Sequence, residues 1–502
     1  MQRMSDMAFI KGIDRNQKMM FPEYIEDYIK KDNTIIVIDE YVNTLDFKEM
    51  NFTKSTEHRP GAPGYHPSAI MKLYLYGYLN GIRSSRKLEK ETNRNVEVMW
   101  LLGKLEPDFK TIADFRKENR NNLRKVFEDF TLLCKQLDLF GKELIAVDGT
   151  KIKANNSKRN NYNKKKIERH IKYIDEKADE YLKALEENDL EEEKARKYTP
   201  EELKEKIEIL KKRKKTYEEL SKELEESENN EISTVDPDSR LMENKKNSVE
   251  MNYNLQVAVD SKNKLIVDFD VIQNASDQGN LNSMSQKAKV VFGKKEKEEL
   301  GTLADKGYYQ AEDLKECENN NTITYVSKQI YANATKDRDF YGDKFKYNKD
   351  KDIYLCPENQ ELKRGKSKSE DPKIIKYKNY DACKICKVKD RCTKAKAGRI
   401  ISRSKEQDFL DTVDARTQEN MDKYKLRQMI VEHPFGTIKR TMDAGYYLCR
   451  GLESVMGETS LILLAYNFKR VINILGIDNL RRKIAELRAP FSINKSANLK
   501  IA

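Results

Sequence analysis

The stretch Glu143-Leu-Ile-Ala-Val147, followed by Asp148-Gly149, decides the fold of this chain. A short apolar run closed by an Asp-Gly pair predicts a buried β-strand that ends at Asp148. Apolar residues recur at helical spacing before this point, as in Ala69–Leu79, and Asp108–Arg116 predicts a helix start with Thr111 as its N-cap. Residues 1–138 are therefore predicted to be all-helical, and the strand opens a different architecture.

Four later segments have the pattern of further strands. Tyr253–Asp260 and Leu265–Ile272 alternate around the turn Ser261–Lys264, which predicts a hairpin. Leu300–Ala304 and Thr322–Val326 are short apolar runs with helical pattern between them. Together these segments predict a mixed sheet with flanking helices, so the fold class is α+β or mixed α/β.

A long insertion separates the first strand from the hairpin. Its apolar residues step by three and four, which is a heptad seam, and Thr199-Pro200 restarts the helix with a capping box. The insertion is predicted to be an antiparallel coiled-coil hairpin, joined by roughly a dozen polar residues. The sequence favours a solvated arm, and a DNA or dimer contact is the functional alternative. The seam residues are Ile167, Ile171, Ile174, Ala178, Tyr181 and Leu185, then Leu203, Ile207, Leu210, Tyr217, Leu220 and Leu224, with Lys214 breaking one position.

Composition narrows the possible partners without naming one. The 502 residues include 96 Lys and Arg against 84 Asp and Glu, a net charge of +12 that favours phosphate-rich partners. The longest apolar stretch, near Leu461–Tyr466, is far too short for a bilayer span, and the N-terminal residues lack a signal-peptide core. We therefore expect a cytoplasmic protein that does not bind membranes.

Four of the seven cysteines cluster within about forty residues. Cys383 and Cys386 have the spacing with which two thiolates bind one zinc ion, and Cys356 and Cys392 can complete a tetrahedral site. The surrounding segment is basic and polar and is expected to have little core of its own, so a structural Zn²⁺ gives it a reason to fold. The alternative is four ordinary free thiols. Cys134, Cys317 and Cys449 are isolated and are expected to pack as small apolar side chains.

Two aspartates follow buried strands and one glutamate lies in a basic helix. Asp148 and Asp305 are expected at neighbouring strand ends, where sites gather in open α/β sheets, although such an aspartate on its own more often only makes a turn. Glu432 lies in a helical pattern that Pro434 is expected to kink or restart, and an ordinary surface glutamate is its alternative. Asp277, at a predicted helix start, is the reserve second acid.

The motifs VDGTKIKAN around Asp148, TLADKGYY around Asp305 and VEHPFGTIKR around Glu432 resemble the DDE motifs of bacterial insertion-sequence transposases. The resemblance covers nearly the whole chain, and its last motif is the most specific. It implies an RNase H-like core in which these three carboxylates hold Mg²⁺ or Mn²⁺, with two ions expected, for DNA strand transfer. Clustered carboxylates also need cations on electrostatic grounds alone, and Mg²⁺ takes carboxylates together with phosphate oxygens.

The same resemblance, together with local charge, implies residues that bind DNA. Tyr424, Arg427, Glu432 and Lys439 match the family's Tyr-Arg-Glu-Lys signature, with four residues between Arg427 and Glu432 where much of the wider superfamily has three. Lys439 and the adjacent Arg440 are expected to hold the phosphate backbone. The N-terminal helical block is expected to recognise transposon ends with one basic helix. Its candidate contacts are Arg86, Lys87 and Lys90.

The expected partners are double-stranded DNA, as transposon ends and target, and a second copy of the chain when DNA is bound. Two alternatives remain open: a metal-dependent nuclease that does not join strands, and an inactive DNA-binding relic. The expected domain boundaries are 1–138 for the helical domain, 139–154 for the first catalytic strand, 155–245 for the coiled coil, 246–340 for the continued catalytic domain, 341–404 for the cysteine segment, 405–488 for the C-terminal catalytic helices, and 489–502 for a tail.

Overall fold

The structure is a computed structural model, and it describes residues 24–55, 64–188, 199–227, 230–243, 248–328, 330, 332–366 and 374–488. The tail expected at 489–502 and most of the polar linker within the insertion lie outside the described residues. The chain divides into two compact units, one made of residues 1–115 with 472–502 and the other of residues 116–471.

The described elements alternate between helices and strands after an all-helical beginning. The helices are α1 (Thr34–Asn43), α2 (Pro67–Leu79), α3 (Ser85–Arg94), α4 (Val96–Leu102), α5 (Phe109–Glu118), α6 (Leu123–Gln136), α7 (Lys164–Asn188), α8 (Pro200–Glu226), α9 (Leu281–Phe292), α10 (Ala311–Asn319), α11 (Tyr380–Lys384), α12 (Lys389–Cys392), α13 (Gln407–Glu419), α14 (Met421–Gly436), α15 (Leu452–Leu475) and α16 (Ile477–Leu487). The strands are β1 (Leu144–Lys153), β2 (Asn161–Tyr162), β3 (Ile232–Ser233), β4 (Arg240–Glu243), β5 (Val249–Asp260), β6 (Ile266–Ile272), β7 (Leu300–Ala304), β8 (Thr322–Val326), β9 (Lys346–Asn348), β10 (Ile353–Leu355), β11 (Glu361–Arg364), β12 (Ile374–Lys378) and β13 (Ile400–Ser404).

The first unit is helical where it is described. Helices α2 and α3 pack closely because Gly77 has no side chain: a Cβ there would lie 2.4 Å from Leu88 Cδ2. The Tyr74 hydroxyl donates to the Ile112 carbonyl at 2.6 Å, which ties α2 to α5. The predicted cap of α5 is wrong by three residues, because the Asp108 carboxylate, not Thr111, accepts from a first-turn amide, that of Thr111 itself.

A mixed sheet forms the centre of the second unit. Its order is β4-β5-β1-β7-β8, and β6 pairs with the other end of β5. Strand β1 is antiparallel to β5 and parallel to β7, and β7 is parallel to β8. The predicted strands are thus present, and the predicted hairpin is the antiparallel pair β5–β6. A mixed α/β architecture is confirmed.

The prediction that the first strand ends at Asp148 is wrong. Strand β1 continues to Lys153, and β5 pairs with it along that length, with Asp148 opposite Val257 and Gly149 opposite Gln256. Asp-Gly commonly marks a turn because both residues tolerate unusual backbone angles. Here an antiparallel partner satisfies the backbone of Asp148 and Gly149, and tertiary pairing overrides the local turn signal.

Helices α6 and α15 pack around strand β6. The ring centroids of Phe127 and Phe269 are 5.1 Å apart, and those of Phe130 and Phe468 are 5.2 Å apart. Asn467 of α15 both accepts from the Ile266 amide and donates to the Ile266 carbonyl. Among the described residues no single helix has the length and apolar content to cross a bilayer, and only the bent pair α15–α16 reaches that threshold when taken together.

Helices α7 and α8 pack side by side in opposite directions. The rings of His170 and Tyr217 stack 4.8 Å apart, and Lys214 Nζ lies 2.7 Å from Asp175 Oδ1. The lysine that interrupts the apolar seam thus faces an aspartate on the neighbouring helix. Ile174 and Leu203, both seam residues, are fully buried.

A second sheet, antiparallel and of order β13-β12-β11-β10-β9, contains the cysteine segment. The expectation that this segment has little core is wrong. Aromatic and aliphatic residues of this segment bury one another beneath the basic surface, although the segment is rich in charged residues. This core comprises Phe345, Tyr354, Leu362, Tyr377 and Ile401.

Candidate active site

Asp148 and Asp305 lie side by side at one end of the parallel strand pair. The last paired residues of β1 and β7 are Val147 and Ala304, and each aspartate comes immediately after one of them. Parallel neighbours in register point their side chains to the same face of a sheet. The strands therefore place the two carboxylates next to each other, as sequence reasoning expected.

Asp148 lies in a poorly solvated position, with its side chain 20% exposed. Burial raises the pKa of Asp148 to about 6, while Arg427 lowers it and Asp305 raises it again. The Gly149 amide donates to Asp148 Oδ1 at 2.9 Å, and Arg427 Nη1 lies 3.7 Å from Oδ2. Negative charge at Asp148 is therefore costly without a cation beside it.

Asp305 is fixed by its own turn. Its Oδ1 accepts from the Gly307 amide at 2.7 Å, so Asp305 caps the 3-10 turn Lys306–Tyr308. Within the described residues its Oδ2 has no hydrogen-bond donor. One oxygen holds the carboxylate in place and the other is available to a ligand.

Helix α14 presents basic side chains to the same strand. Arg427 pairs with Asp148, and Lys439 Nζ donates to the Thr150 hydroxyl at 2.6 Å and to the Lys151 carbonyl at 3.0 Å. Lys439 belongs to a π-helical turn, Thr437–Thr441, that follows α14 directly. The helix runs through Pro434 without restarting there.

Glu432 is exposed on α14, and its side chain makes no hydrogen bond or ion pair with the described residues. Arg427 and Glu432 are five positions apart, which separates their directions by about 140° around the helix axis. An arginine four positions before the glutamate would share its face. The five-residue spacing in this chain thus places Arg427 and Glu432 on different sides of the helix, and Arg427 is the residue that pairs with Asp148.

The remaining signature residues are less constrained. Tyr424 is half-buried and Arg440 is exposed, and neither side chain makes a hydrogen bond or ion pair with a described residue. Among the described residues, no three Asp, Glu, His or Cys side chains form a ready-made metal-ligand group.

Asp277 lies on the other face of β1. A Cβ on Gly149 would lie 2.4 Å from Asp277 Oδ1, and side chains at Asp148 and Gly149 point to opposite faces. The expected helix start is also wrong, because α9 begins at Leu281 and Asp277 lies in the preceding loop. Sequence reasoning missed the residues that hold Asp277, namely Lys151, Asn254 and Gln256. Their signal was a pair of polar side chains, two positions apart, in a strand buried on both faces.

The four clustered cysteines line one cavity with Phe345 and Arg399. Cys383 and Cys386 flank the end of α11, Cys392 ends α12, and Cys356 follows β10. Burial raises the pKa of Cys392 to about 11, Arg399 lowers it, and the other three thiols raise it further. None of the seven cysteines forms a disulfide in the structure. Cys134 and Cys317 are fully buried, as expected, and Cys449 is only half-buried.

In the first unit, Arg86, Lys87 and Lys90 are all exposed on α3. The Arg86 guanidinium lies 5.0 Å above the Phe109 ring. The neighbouring Arg83, part of the same basic sequence, is instead buried. Ser84 is the N-cap of α3, but its side chain accepts no hydrogen bond from the helix.

Two family models match the chain. One, described as a Transposase domain (DUF772), matches residues 23–118, and the other, described as a Transposase DDE domain, matches residues 355–472. Its two matched domains are those of a DDE transposase. The DDE domain indicates an enzyme that cleaves DNA and transfers strands with divalent metal ions.

The two matches cover different parts of the transposase. The first contains the basic helix α3, and the second contains the four cysteines and Glu432. Asp148 and Asp305 lie between the two matched ranges. The evidence that they lie next to each other is therefore the pairing of β1 with β7. No curated protein is similar enough in sequence to count as a match.

Proposed function

We propose that this transposase cuts the ends of an insertion sequence and joins them to target DNA with Asp148, Asp305 and Glu432 as its catalytic carboxylates. The observation that carries the proposal is the adjacency of Asp148 and Asp305 at the end of β1 and β7. The site suits hard divalent cations, because its donors are carboxylate oxygens. Burial disfavours the charged form of Asp148, and a cation bound beside it would offset that cost. A central β1 between antiparallel β5 and parallel β7 supports an RNase H-like core.

Two Mg²⁺ or Mn²⁺ ions, when bound, would activate a water or a 3′-hydroxyl and stabilise the leaving oxygen. Glu432 lies on α14 between Arg427, which reaches Asp148, and the π-helical turn whose Lys439 reaches Thr150. That position supports its role as the third carboxylate. Rotation of the exposed side chain, or of the helix when DNA binds, brings its oxygens toward the aspartates.

The basic residues of α14 and its π-helical turn hold DNA next to the cut. Lys439 reaches the face of β1 that carries Asp148, and the exposed Arg440 follows it. Tyr424 and Arg427 precede Glu432 on the same helix and complete the contact. Arg427 also lowers the cost of the charge on Asp148.

End recognition is assigned to the N-terminal helical domain, residues 1–138, through Arg86, Lys87 and Lys90. Their exposure on a single short helix supports this role. The packed helices α7 and α8 form a coiled-coil arm within residues 155–245, and the chain acts as a homodimer on DNA. The catalytic domain takes up residues 139–154, 246–340 and 405–488 around the two insertions.

A structural Zn²⁺ bound by Cys356, Cys383, Cys386 and Cys392 is proposed for residues 341–404. One shared cavity and the raised pKa of Cys392, to which the other three thiols contribute, support it, because a cation relieves the repulsion between thiolates. The thiols are not preassembled as ligands, so binding must draw them together. Four thiolates leave no open position for a water, so the site is not catalytic.

Elemental analysis of protein purified without chelators tests the zinc site. We expect about one zinc per chain, and loss of that zinc in Cys383→Ser. Cys449→Ser is the matched control, because Cys449 lies outside the cavity, and it should keep its zinc. Zinc-free wild-type protein would eliminate the site.

The joining reaction separates a transposase from a nuclease. DNA that flanks the coding sequence, containing its inverted repeats, is cut in Mg²⁺, and products with a free 3′-OH are then offered to plasmid DNA. We expect joined products that disappear in Asp148→Asn. Cutting without joining would favour the nuclease, and binding without cutting would favour the inactive relic.

A further inference from the structure

Asp277 lies behind the strand that carries Asp148, in space that a side chain at residue 149 would otherwise fill. A Cβ on Gly149 would lie 2.3 Å from Gln256 Nε2 and 2.4 Å from Asp277 Oδ1. Real Cβ atoms do not approach other atoms this closely. The glycine after the first catalytic aspartate therefore has a specific purpose, which is to admit Asp277 and Gln256 against β1.

One carboxylate oxygen of Asp277 accepts hydrogen bonds from three side chains. Oδ1 accepts from Asn254 Nδ2 and Gln256 Nε2, both at 2.7 Å, and from Lys151 Nζ at 3.4 Å. Asn254 and Gln256 are completely buried. A carboxylate can only accept hydrogen bonds, so Asp277 fixes which end of the Gln256 amide faces it.

The opposite end of that amide faces Tyr308. The Tyr308 hydroxyl donates to Gln256 Oε1, and Tyr308 is completely buried. Burial raises the pKa of Tyr308 far above its ordinary value, so the hydroxyl stays protonated and remains a donor. A polar relay thus runs from Asp277 through Gln256 to Tyr308.

Tyr308 ends the 3-10 turn that Asp305 caps. The turn comprises Lys306–Tyr308, and its geometry depends on the bond from the Gly307 amide to Asp305 Oδ1. Anchoring Tyr308 therefore anchors the turn, and with it the direction of the Asp305 carboxylate. Partners of this kind, one step removed from a metal ligand, set the orientation of that ligand.

We propose that Asp277 is a positioning residue that holds Asp305 in place through Gln256 and Tyr308. The inference rests on the proposed role of Asp305 as a metal ligand. Asp277 acts from the face of β1 opposite Asp148, and its Oδ1 is already occupied by three protein donors. Its task is to orient another carboxylate, whereas Asp305 contacts the metal.

The test combines two measurements on full-length protein bound to end DNA: the affinity for Mn²⁺, followed by electron paramagnetic resonance, and cleavage over a range of Mg²⁺ concentrations. Asp277→Ala and Tyr308→Phe should weaken Mn²⁺ binding, whereas Asp277→Asn should keep most of it. Asp277→Ala and Tyr308→Phe should each raise the Mg²⁺ needed for half-maximal rate, or lower the rate, by about 10–100-fold. Asp277→Asn keeps an acceptor oxygen and should recover to within several-fold of wild type. The double variant Asp277→Ala, Tyr308→Phe should lose no more cleavage activity than the more impaired of the two single variants, because both changes break the same relay.

Three results would overturn the inference. Asp277→Asn as inactive as Asp305→Asn would make Asp277 a metal ligand itself. Wild-type Mg²⁺ dependence in Tyr308→Phe, which removes a single oxygen and should fold, would show that no relay exists. Fully additive losses of activity in the double variant would show that Asp277 and Tyr308 act independently of each other. An active Asp305→Asn would instead refute the assignment of Asp305, so the two failures are distinguishable.

Discussion

The strand ends that carry Asp148 and Asp305 and the helix that carries Glu432 differ in how their side chains are held. The two aspartates are fixed by backbone pairing between β1 and β7 and by the cap that Asp305 makes. Glu432 is exposed on α14, beside a proline and a π-helical turn. The two aspartates are thus held by the sheet, whereas Glu432 lies on an exposed part of a helix. We infer that assembly of the site is completed by metal and DNA.

The largest effect expected is the loss of catalysis in all three acid variants. Asp148→Asn, Asp305→Asn and Glu432→Gln should each slow cleavage on the order of a thousandfold or more, because each removes one metal-ligand charge. End binding in a gel-shift assay should persist in all three. If Glu432→Gln cuts normally while the aspartate variants do not, the helix-borne residue is not part of the site.

A stability measurement should separate two of these variants, Asp148→Asn and Glu432→Gln. Burial raises the pKa of Asp148 to about 6, so its contribution to stability is present at low pH and is lost as pH rises through 6. Above that pH the folded protein bears the cost of a charged carboxylate in a buried position. Asp148→Asn removes this cost and should stabilise the protein in Mg²⁺-free buffer, by about 2–3 kcal/mol at pH 8 and much less at pH 4.5. Thermal unfolding at the two pH values measures the difference.

Glu432→Gln is the matched control for that experiment, because its side chain is exposed and makes no ion pair with a described residue. Its melting temperature should follow that of wild type at both pH values. Equal stabilisation of the two variants would mean that Asp148 and Glu432 lie in similar surroundings, which contradicts a buried strand-end acid and an exposed helical one.

Substitutions at two glycines test how tightly β1, which carries Asp148, and α14, which carries Glu432, are packed. Gly149→Ala should destabilise the protein by about 1–3 kcal/mol, because its Cβ would displace Asp277 and Gln256. Gly436→Ala, on α14, meets open space with helical backbone angles and should stabilise by about 0.5–1 kcal/mol. Urea unfolding measures both changes. A neutral Gly149→Ala would show that the strand is not tightly backed.

The smallest effect expected concerns another set of helix-borne side chains. Reversing Arg86, Lys87 and Lys90 to Glu should weaken end binding several-fold or more. It should also flatten the slope of log K against log salt by almost one unit for each phosphate that the helix no longer binds. The same reversal at Lys204, Lys211 and Lys215, exposed on α8, changes the net charge equally and serves as control. An unchanged slope for the α3 variant, with a weakened α8 variant, would move recognition to the arm.

The sequence predicted the sheet well, because strand patterns and strand-end acids are local signals. Asp148 and Asp305 were found from apolar runs that stop at an aspartate, and β1 and β7 pair side by side. The extent of β1 could not be predicted, since its continuation through Gly149 depends on β5, more than a hundred residues away. Local propensity favoured a turn there, and long-range pairing decided otherwise.

Polar residues inside the fold were the hardest to predict. Asn254 and Gln256 have meaning only once Asp277 and Tyr308 are beside them, and these contacts join separate segments. The direction of Glu432 also lay beyond sequence spacing alone, because it depends on how α14 docks on β1. In the cysteine segment the basic surface concealed the small aromatic core.

Binding of Mn²⁺ to full-length protein on end DNA, followed by electron paramagnetic resonance, tests most directly whether the helix joins the strands in one site. Asp148→Asn, Asp305→Asn and Glu432→Gln should each lose tightly bound Mn²⁺, because each carboxylate is a ligand. A Glu432→Gln variant that binds Mn²⁺ with the affinity and spectrum of wild type, while both aspartate variants do not, would contradict a three-carboxylate site that includes Glu432.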